Sequence, residues 1–228
     1  MELGLYLHFP YCISKCPYCD FNSYQLKEDN QISSYISALY QEITAYSKKL
    51  KKSNMKTIYL GGGTPTILSG IQICDILEFC KEKFSIDKNA EITIEANPGT
   101  LDGEKIKLLI ESGINRLSLG AQSFNNLFLK KLGRIHNIQE IIDSYYLARE
   151  AGFNNINIDI MFALPDQTTE DLQNTLKKAV SLKPDHLSLY NLTIKPGTEY
   201  YKEYKRGKFK LPTEDEELDM YNWLGLVY

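Results

Sequence analysis

Three cysteines, Cys12, Cys16 and Cys19, are spaced C-x3-C-x2-C within His8-Phe9-Pro10-Tyr11-Cys12-Ile13-Ser14-Lys15-Cys16-Pro17-Tyr18-Cys19-Asp20-Phe21. Thiolates at such spacing hold metal. A structural zinc takes four protein ligands, and the chain has no second C-x2-C and no H-x3-5-H to supply a fourth. His8 or Asp20 would have to complete such a shell. A cubic cluster of four irons can be held by three thiolates, which leaves one iron open to an exchangeable ligand. Cys74 and Cys80 lie six residues apart in a helical pattern. Six residues turn a helix through about 600°, so the two face different sides and read as apolar filling. Five cysteines in 228 residues, with no secretory start, do not describe a disulfide scaffold.

A second group consists of polar residues where an apolar strand would be cheaper. Glu95 is flanked by Ile92, Ile94 and Ala96; Gln122 follows Leu117-Ser118-Leu119-Gly120-Ala121; Asp159 sits in Ile156-Asn157-Ile158-Asp159-Ile160-Met161. A buried unpaired carboxylate costs several kcal/mol, so each needs a partner. Arg134 is a candidate cation, and ribose hydroxyls and an ammonium would suit the rest. Each alone reads equally as a capping or ion-pair residue; together at successive strand ends they read as ligand contacts. Gly61-Gly62-Gly63 ends a strand, where missing side chains let backbone approach a ligand. His136 reads as a surface loop residue and His186 as a satisfied residue of an edge strand. Tyr200, Tyr201 and Tyr204 read as a packing face.

The elements that must position these groups alternate along the chain. Strands are expected at Leu3–Phe9, Lys56–Leu60, Glu91–Ala96, Arg116–Leu119, Asn155–Met161 and His186–Tyr190. Helices are expected at Ile32–Leu50, Ile71–Phe84, Glu104–Glu111, Asn125–Leu132, Ile138–Ala151 and Glu170–Leu182, with loop and helix from Glu199 to Tyr228. Repeated β-α units imply parallel strands under a layer of helices. Six of them make an α/β fold, a partial (β/α)6 barrel related to the eight-fold TIM barrel, whose chemistry lies at the C-terminal strand ends. The cysteine loop follows the first strand and so falls on that rim.

Composition excludes other classes. The chain is 43% hydrophobic, with 26 basic and 29 acidic residues and a net charge of −3. That implies no nucleic-acid partner and no direct membrane attraction. The basic cluster Lys48, Lys49, Lys51 and Lys52 suits a helix C-terminus. No apolar run approaches the ~20 residues that cross a bilayer. Met1 leads almost directly into a strand, which is read as a cytoplasmic location.

The motifs together resemble the radical-SAM superfamily, and within it the oxygen-independent coproporphyrinogen III dehydrogenase-like (HemN/HemW) group, nearest the HemW-type haem chaperones. The resemblance runs through Tyr6-Leu7-His8-Phe9-Pro10, the cysteine loop, Gly61-Gly62-Gly63-Thr64-Pro65-Thr66 and Glu95-Ala96-Asn97-Pro98. It continues through Leu119-Gly120-Ala121-Gln122-Ser123-Phe124, Leu132-Gly133-Arg134-Ile135-His136, Asn157-Ile158-Asp159-Ile160-Met161-Phe162-Ala163-Leu164-Pro165 and Ser188-Leu189-Tyr190. It implies a radical-SAM core over 1–228, in which Cys12, Cys16 and Cys19 bind a [4Fe–4S] cluster. It also implies S-adenosylmethionine (SAM) on the open iron, in a pocket lined by Tyr6, Gly62, Gly63, Thr64, Glu95, Gln122, Arg134, Asp159 and Thr193, with Tyr18 near the adenine.

Two departures favour the chaperones over the dehydrogenases. Phe21 stands where those dehydrogenases carry a further cysteine, and the chain starts at the first strand, without their N-terminal extension. The chaperones continue into a domain with an H-N-x-x-Y-W motif that is absent here, so the chain reads as the barrel part alone, with 199–228 the start of a truncated region. The expected role is haem trafficking to a haem-accepting protein, without coproporphyrinogen dehydrogenase activity. Three other readings stay open: a radical dehydrogenase acting on porphyrinogen propionates, SAM cleavage fed by an electron donor, and an inactive fragment. Membrane association is expected only through a partner. An apolar patch is expected at the open side of the barrel, because Trp223-Leu224-Gly225-Leu226-Val227-Tyr228 has little left to pack on.

Overall fold

A computed structural model describes residues 1–28, 30–50 and 53–227, with side chains through Leu224. Lys51, Lys52 and Tyr228 lie outside the described residues, as do the side chains of Leu226 and Val227. The first strand, β1 (Glu2–Phe9), alternates Leu5, Leu7 and Phe9 with Tyr6 and His8. That period of two gives it one apolar and one polar face. Two two-residue strands follow in the cysteine loop, β2 (Tyr11–Cys12) and β3 (Tyr24–Gln25), before helix α1 (Asn30–Lys49). The chain then runs β4 (Asn54–Gly62), α2 (Gly70–Lys83), β5 (Ser85–Ala96), α3 (Gly103–Glu111), β6 (Arg116–Gln122), α4 (Asn126–Lys131), α5 (Ile138–Ala151), β7 (Ile156–Phe162), α6 (Thr169–Ser181), β8 (His186–Asn191), α7 (Glu199–Lys205) and α8 (Glu214–Val227).

Six strands form one all-parallel sheet in the order β1-β4-β5-β6-β7-β8, with β1 and β8 at its edges. This is the expected partial (β/α)6 barrel, a curled half-barrel. Its convex face, with Leu7, Ile58, Leu60, Ile94, Leu117, Leu119, Ile156 and Ile158, forms one core with Ile73, Leu77, Ile106, Leu109, Ile141, Tyr145 and Leu172 from the helices. Side-chain caps start the helices where the sequence offers Ser, Thr, Asn or Asp. Ser69, Asn137 and Thr168 complete reciprocal capping boxes, and Asp102 caps α3.

The fold departs from the sequence expectations at β5 and is informative at the C-terminal helix and the concave face. β5 begins at Ser85, not Glu91, because Ser85 and Ile86 pair with Asn54 and Met55 before a register shift. That pairing is long-range and leaves no periodicity in one strand. The C-terminal helix finds packing in part: Leu218 and Tyr221 stay exposed, and the expectation for Leu226, Val227 and Tyr228 lies outside the described side chains. α8 lies on α6, Met220 and Leu224 are buried, Trp223 is partly buried against the core, and Asn191 donates to Glu217 at 3.2 Å. The concave face of the sheet is polar. Tyr6 and Tyr190 are about half exposed there, and Glu95, Asp159, Ser188 and Asn157 extend the polar row.

The glycine run after β4 sets how closely the cysteine loop approaches. The Gly63 and Thr64 amides donate to the Phe9 and Tyr11 carbonyls at 2.6 and 2.8 Å. A Cβ at Gly63 would meet the Tyr11 carbonyl oxygen at 2.5 Å and that of Phe9 at 2.8 Å, both backbone atoms that cannot turn away. Gly63→Ala is therefore expected to destabilise the chain by roughly 1–3 kcal/mol. A lower denaturant midpoint at unchanged slope would show it; an unchanged midpoint would mean the loop has room to shift.

Candidate functional site

The cysteine loop leaves β1 and is pinned on several sides. β2 pairs with β3, Tyr24 N–H donates to Pro10 O at 2.7 Å, and Leu26 N–H donates to Cys12 O at 2.8 Å. From the far rim, the Tyr200 amide donates to the Pro17 carbonyl at 3.0 Å. His8 holds the loop from the strand side. Its Nε2 lies 2.8 Å from the Asn22 carbonyl, which can only accept, so Nε2 carries the hydrogen and Nδ1 accepts from Tyr6 Oη at 2.9 Å. Lys15 donates to the carbonyls of Phe21 and Ser23 at 3.2 and 2.7 Å. Its charge is spent inside the loop.

All three thiols are partly buried; two of them accept from a defined donor and the third lies beside a hydroxyl. Thr64 Oγ1 donates to Cys12 Sγ at 3.5 Å, Arg134 Nη1 donates to Cys16 Sγ at 3.4 Å, and Ser23 Oγ lies 3.9 Å from Cys19 Sγ. Burial pushes the Cys12 thiol above its ordinary pKa. The Thr64 hydroxyl opposes that shift, and the neighbouring Cys19 and Cys16 sulfurs add to it. Three adjacent thiolates repel one another and need positive charge among them. Among the described residues, no three His, Cys, Asp or Glu side chains converge on one metal ion. A four-iron cluster is wider than one ion and asks for three sulfurs spread around it. Three sulfurs on one loop, with the Thr64 hydroxyl and the Arg134 guanidinium donating to two of them, are a donor set that suits such a cluster.

The strand-end residues line the same rim. Glu95, near the end of β5, accepts from Tyr59 Oη at 2.8 Å and from the Gly62 amide at 3.0 Å. Gly62 has φ 113°, a left-handed conformation, and a Cβ there would strike the His8 ring at 2.7 Å. Only glycine aims this amide at Glu95. Asp159 on β7 accepts from Ser118 Oγ at 3.0 Å and from Asn157 Nδ2 at 2.8 Å. Burial raises the pKa of both carboxyls above the ordinary carboxylate range. Their hydrogen bonds pull it back, and each also feels a like charge or a cation further off. Gln122 ends β6 with φ 67°, where the β6–β7 register shifts. Such a backbone costs of order 1–3 kcal/mol and persists where surroundings impose it, often at functional sites.

Arg134 does not pair with either carboxylate, contrary to its reading as their cation. It donates to Cys16 Sγ, to the Gly120 carbonyl at 3.0 Å and to Asn97 Oδ1, and it forms no ion pair among the described residues. Tyr18 packs edge-on to Tyr200 at 6.2 Å, in a second apolar cluster with Phe128, Leu132 and Phe209. Tyr200 so belongs to a packing face, as read. Thr193 is exposed in the loop after β8. His136 is buried rather than on the surface. Its Nε2–H donates to Ala121 O at 3.3 Å, its Nδ1 has no partner among the described residues, and burial with Arg134 nearby pulls its pKa down to about 4. His186 accepts its edge-strand role, with Nδ1 at 2.6 Å from Asn157 Oδ1. Cys80 is fully buried in the core, its thiol pushed up to about 12 by burial, and the Cys74 thiol meets Leu108 O at 3.4 Å.

Tyr59, Ser118, Asn157 and Asn97 were not singled out in sequence, although all touch the candidate site residues. The period of two carried a signal for the first three, since they share the polar face with Glu95 and Asp159.

The model of the Radical SAM superfamily matches residues 6–179. The heme chaperone HemW of Bacillus subtilis is 39% identical over 217 residues, 95% of this chain and 57% of that protein. HemW of Haemophilus influenzae is 41% identical over 96% of this chain and 57% of its own length. The solved coproporphyrinogen III oxidase (HemN) from Escherichia coli, a radical SAM enzyme, matches with TM-score 0.87 at 32% identity, covering 98% of this chain and 51% of that one. The chain spans about half the length of the curated relatives it matches.

Proposed function

The chain belongs to the Radical SAM superfamily, and from that membership we propose that it holds a [4Fe–4S] cluster at Cys12, Cys16 and Cys19, binds SAM beside it and serves in haem trafficking. The observation that carries the cofactor reading is the set of three thiols on the loop after β1, each beside a hydroxyl or a guanidinium. The SAM pocket is assigned to Tyr6, Tyr18, Gly62, Gly63, Thr64, Glu95, Gln122, Arg134, Asp159 and Thr193. Two half-buried carboxyls suit hydroxyl and ammonium groups of a ligand, and Arg134, without an ion pair among the described residues, suits a ligand carboxylate. One radical-SAM core over 1–228 is part of the proposal.

When bound, cluster and SAM supply one-electron chemistry; the chain binds, orients and shields them. The haem reading is supported by relatives named heme chaperones at about 40% identity and by Phe21 in place of a further cysteine. The second reading, oxidative decarboxylation of porphyrinogen propionates, is favoured by the likeness to HemN.

One preparation separates them: anaerobic reconstitution, then a haem titration and a coproporphyrinogen III assay. The expected outcome is a shifted Soret band that needs excess haem to saturate, with no protoporphyrinogen IX above a SAM-only background. Product above that background would replace trafficking by the dehydrogenase. No haem-dependent band at any excess would remove the haem reading and leave cluster and SAM binding.

A further inference from the structure

Asn97 follows β5 in Glu95-Ala96-Asn97-Pro98 and touches neither sulfur. It stands between the two groups that do. Arg134 Nη2 donates to its Oδ1, and its Nδ2 donates to Thr64 Oγ1 at 2.8 Å. The direction of this chain follows from its ends. A guanidinium has only donors, so the oxygen of the Asn97 amide must face Arg134 and its NH2 must face Thr64. The Thr64 oxygen is then an acceptor, and its single hydrogen is left for Cys12 Sγ at 3.5 Å. The other nitrogen of the same guanidinium donates directly to Cys16 Sγ at 3.4 Å. Cys19 stands outside this arc, with its contact to Ser23.

We propose that Asn97 is a positioning residue that relays the Arg134 guanidinium through Thr64 to Cys12, so that one cation supplies hydrogen bonds to two of the three cluster sulfurs and raises the cluster's reduction potential. The proposal rests on the cluster assignment above. Hydrogen bonds to the sulfurs and net charge are among the terms that set a cluster's potential, and each favours the more negative, reduced state. A directed chain polarises along its length, so the hydroxyl at its end donates more strongly than it would alone.

The test uses the full chain with Asn97→Ala, Asn97→Asp and Thr64→Val. The readouts are iron per chain and the midpoint potential by anaerobic titration followed optically. Asn97→Ala breaks the relay without adding charge. Asn97→Asp keeps a partner for Arg134 but offers Thr64 an acceptor, which turns the hydroxyl away from Cys12. Both variants, and Thr64→Val, are expected to keep the parent's iron and to shift the potential negative, Asn97→Asp the most. In the Thr64→Val background, Asn97→Ala is expected to shift it no further, because coupled residues are not additive.

A merely structural Asn97 would lower iron retention while leaving the potential of the remaining cluster at the parent value, which overturns the relay. An equal Asn97→Ala shift in both backgrounds also overturns it. If one Asn97 variant holds no iron, the other decides the matter by its potential, and a Thr64→Val protein at the parent potential overturns the relay as well. A parent that binds no iron fails the cluster assignment itself, a result distinct from a clustered parent with unshifted variants.

Discussion

Alanine at any one of Cys12, Cys16 and Cys19 is expected to take anaerobically reconstituted protein from about four irons per chain to below about one, with loss of the broad visible absorption. Three thiolates already leave one iron without a protein ligand, so a two-thiolate cluster would expose two irons to solvent and chelators. Cys74→Ala and Cys80→Ala are expected to keep the iron. Cys74 faces the α2–α3 contact and Cys80 lies in the core, both away from the loop. Cys80→Ala should cost stability through its cavity, so iron per folded chain is the quantity to compare. A single zinc per chain in protein purified without oxygen would sink the cluster assignment.

The second large effect concerns SAM affinity. Glu95→Ala, Gln122→Ala, Arg134→Ala and Asp159→Ala are each expected to weaken SAM binding by about 5- to 150-fold, from the ~1–3 kcal/mol cost of a buried polar group left without its partner. Glu95→Ala orphans the Tyr59 hydroxyl and the Gly62 amide at once, and Arg134→Ala also removes a donor from Cys16. Glu91 provides the control. It lies on β5 at the opposite end of the sheet, lining a groove with Arg116 and His186, and Glu91→Ala is expected to leave affinity unchanged. Equilibrium binding to reconstituted protein with matched iron content measures both. Parent-like affinity in all four rim variants would remove the strand-end argument.

The sequence by itself determined the order and kind of the main elements, because each is written in a local period. Leu5, Leu7 and Phe9 against Tyr6 and His8 make a two-faced strand wherever the chain goes, and Ser69 with Gln72 caps a helix from four residues alone. The C-x3-C-x2-C spacing likewise pointed to metal before any fold was known, since its three thiols are brought together by their own loop. Glu95, Gln122 and Asp159 stood out because a charge or amide in an apolar strand has to be explained.

Only the tertiary structure decided who partners whom. The early start of β5 depends on Asn54 and Met55, some thirty residues away in the chain. Whether His136 was surface or core depended on Ala121, and whether Trp223 and Leu224 were bare depended on α6. Arg134 shows the limit most clearly. Its charge predicted a carboxylate partner, but the fold gives it a sulfur, a carbonyl and the Asn97 amide. A hydrogen bond needs about 3 Å and an angle. Both are set by how six strands from distant parts of the chain meet at one rim.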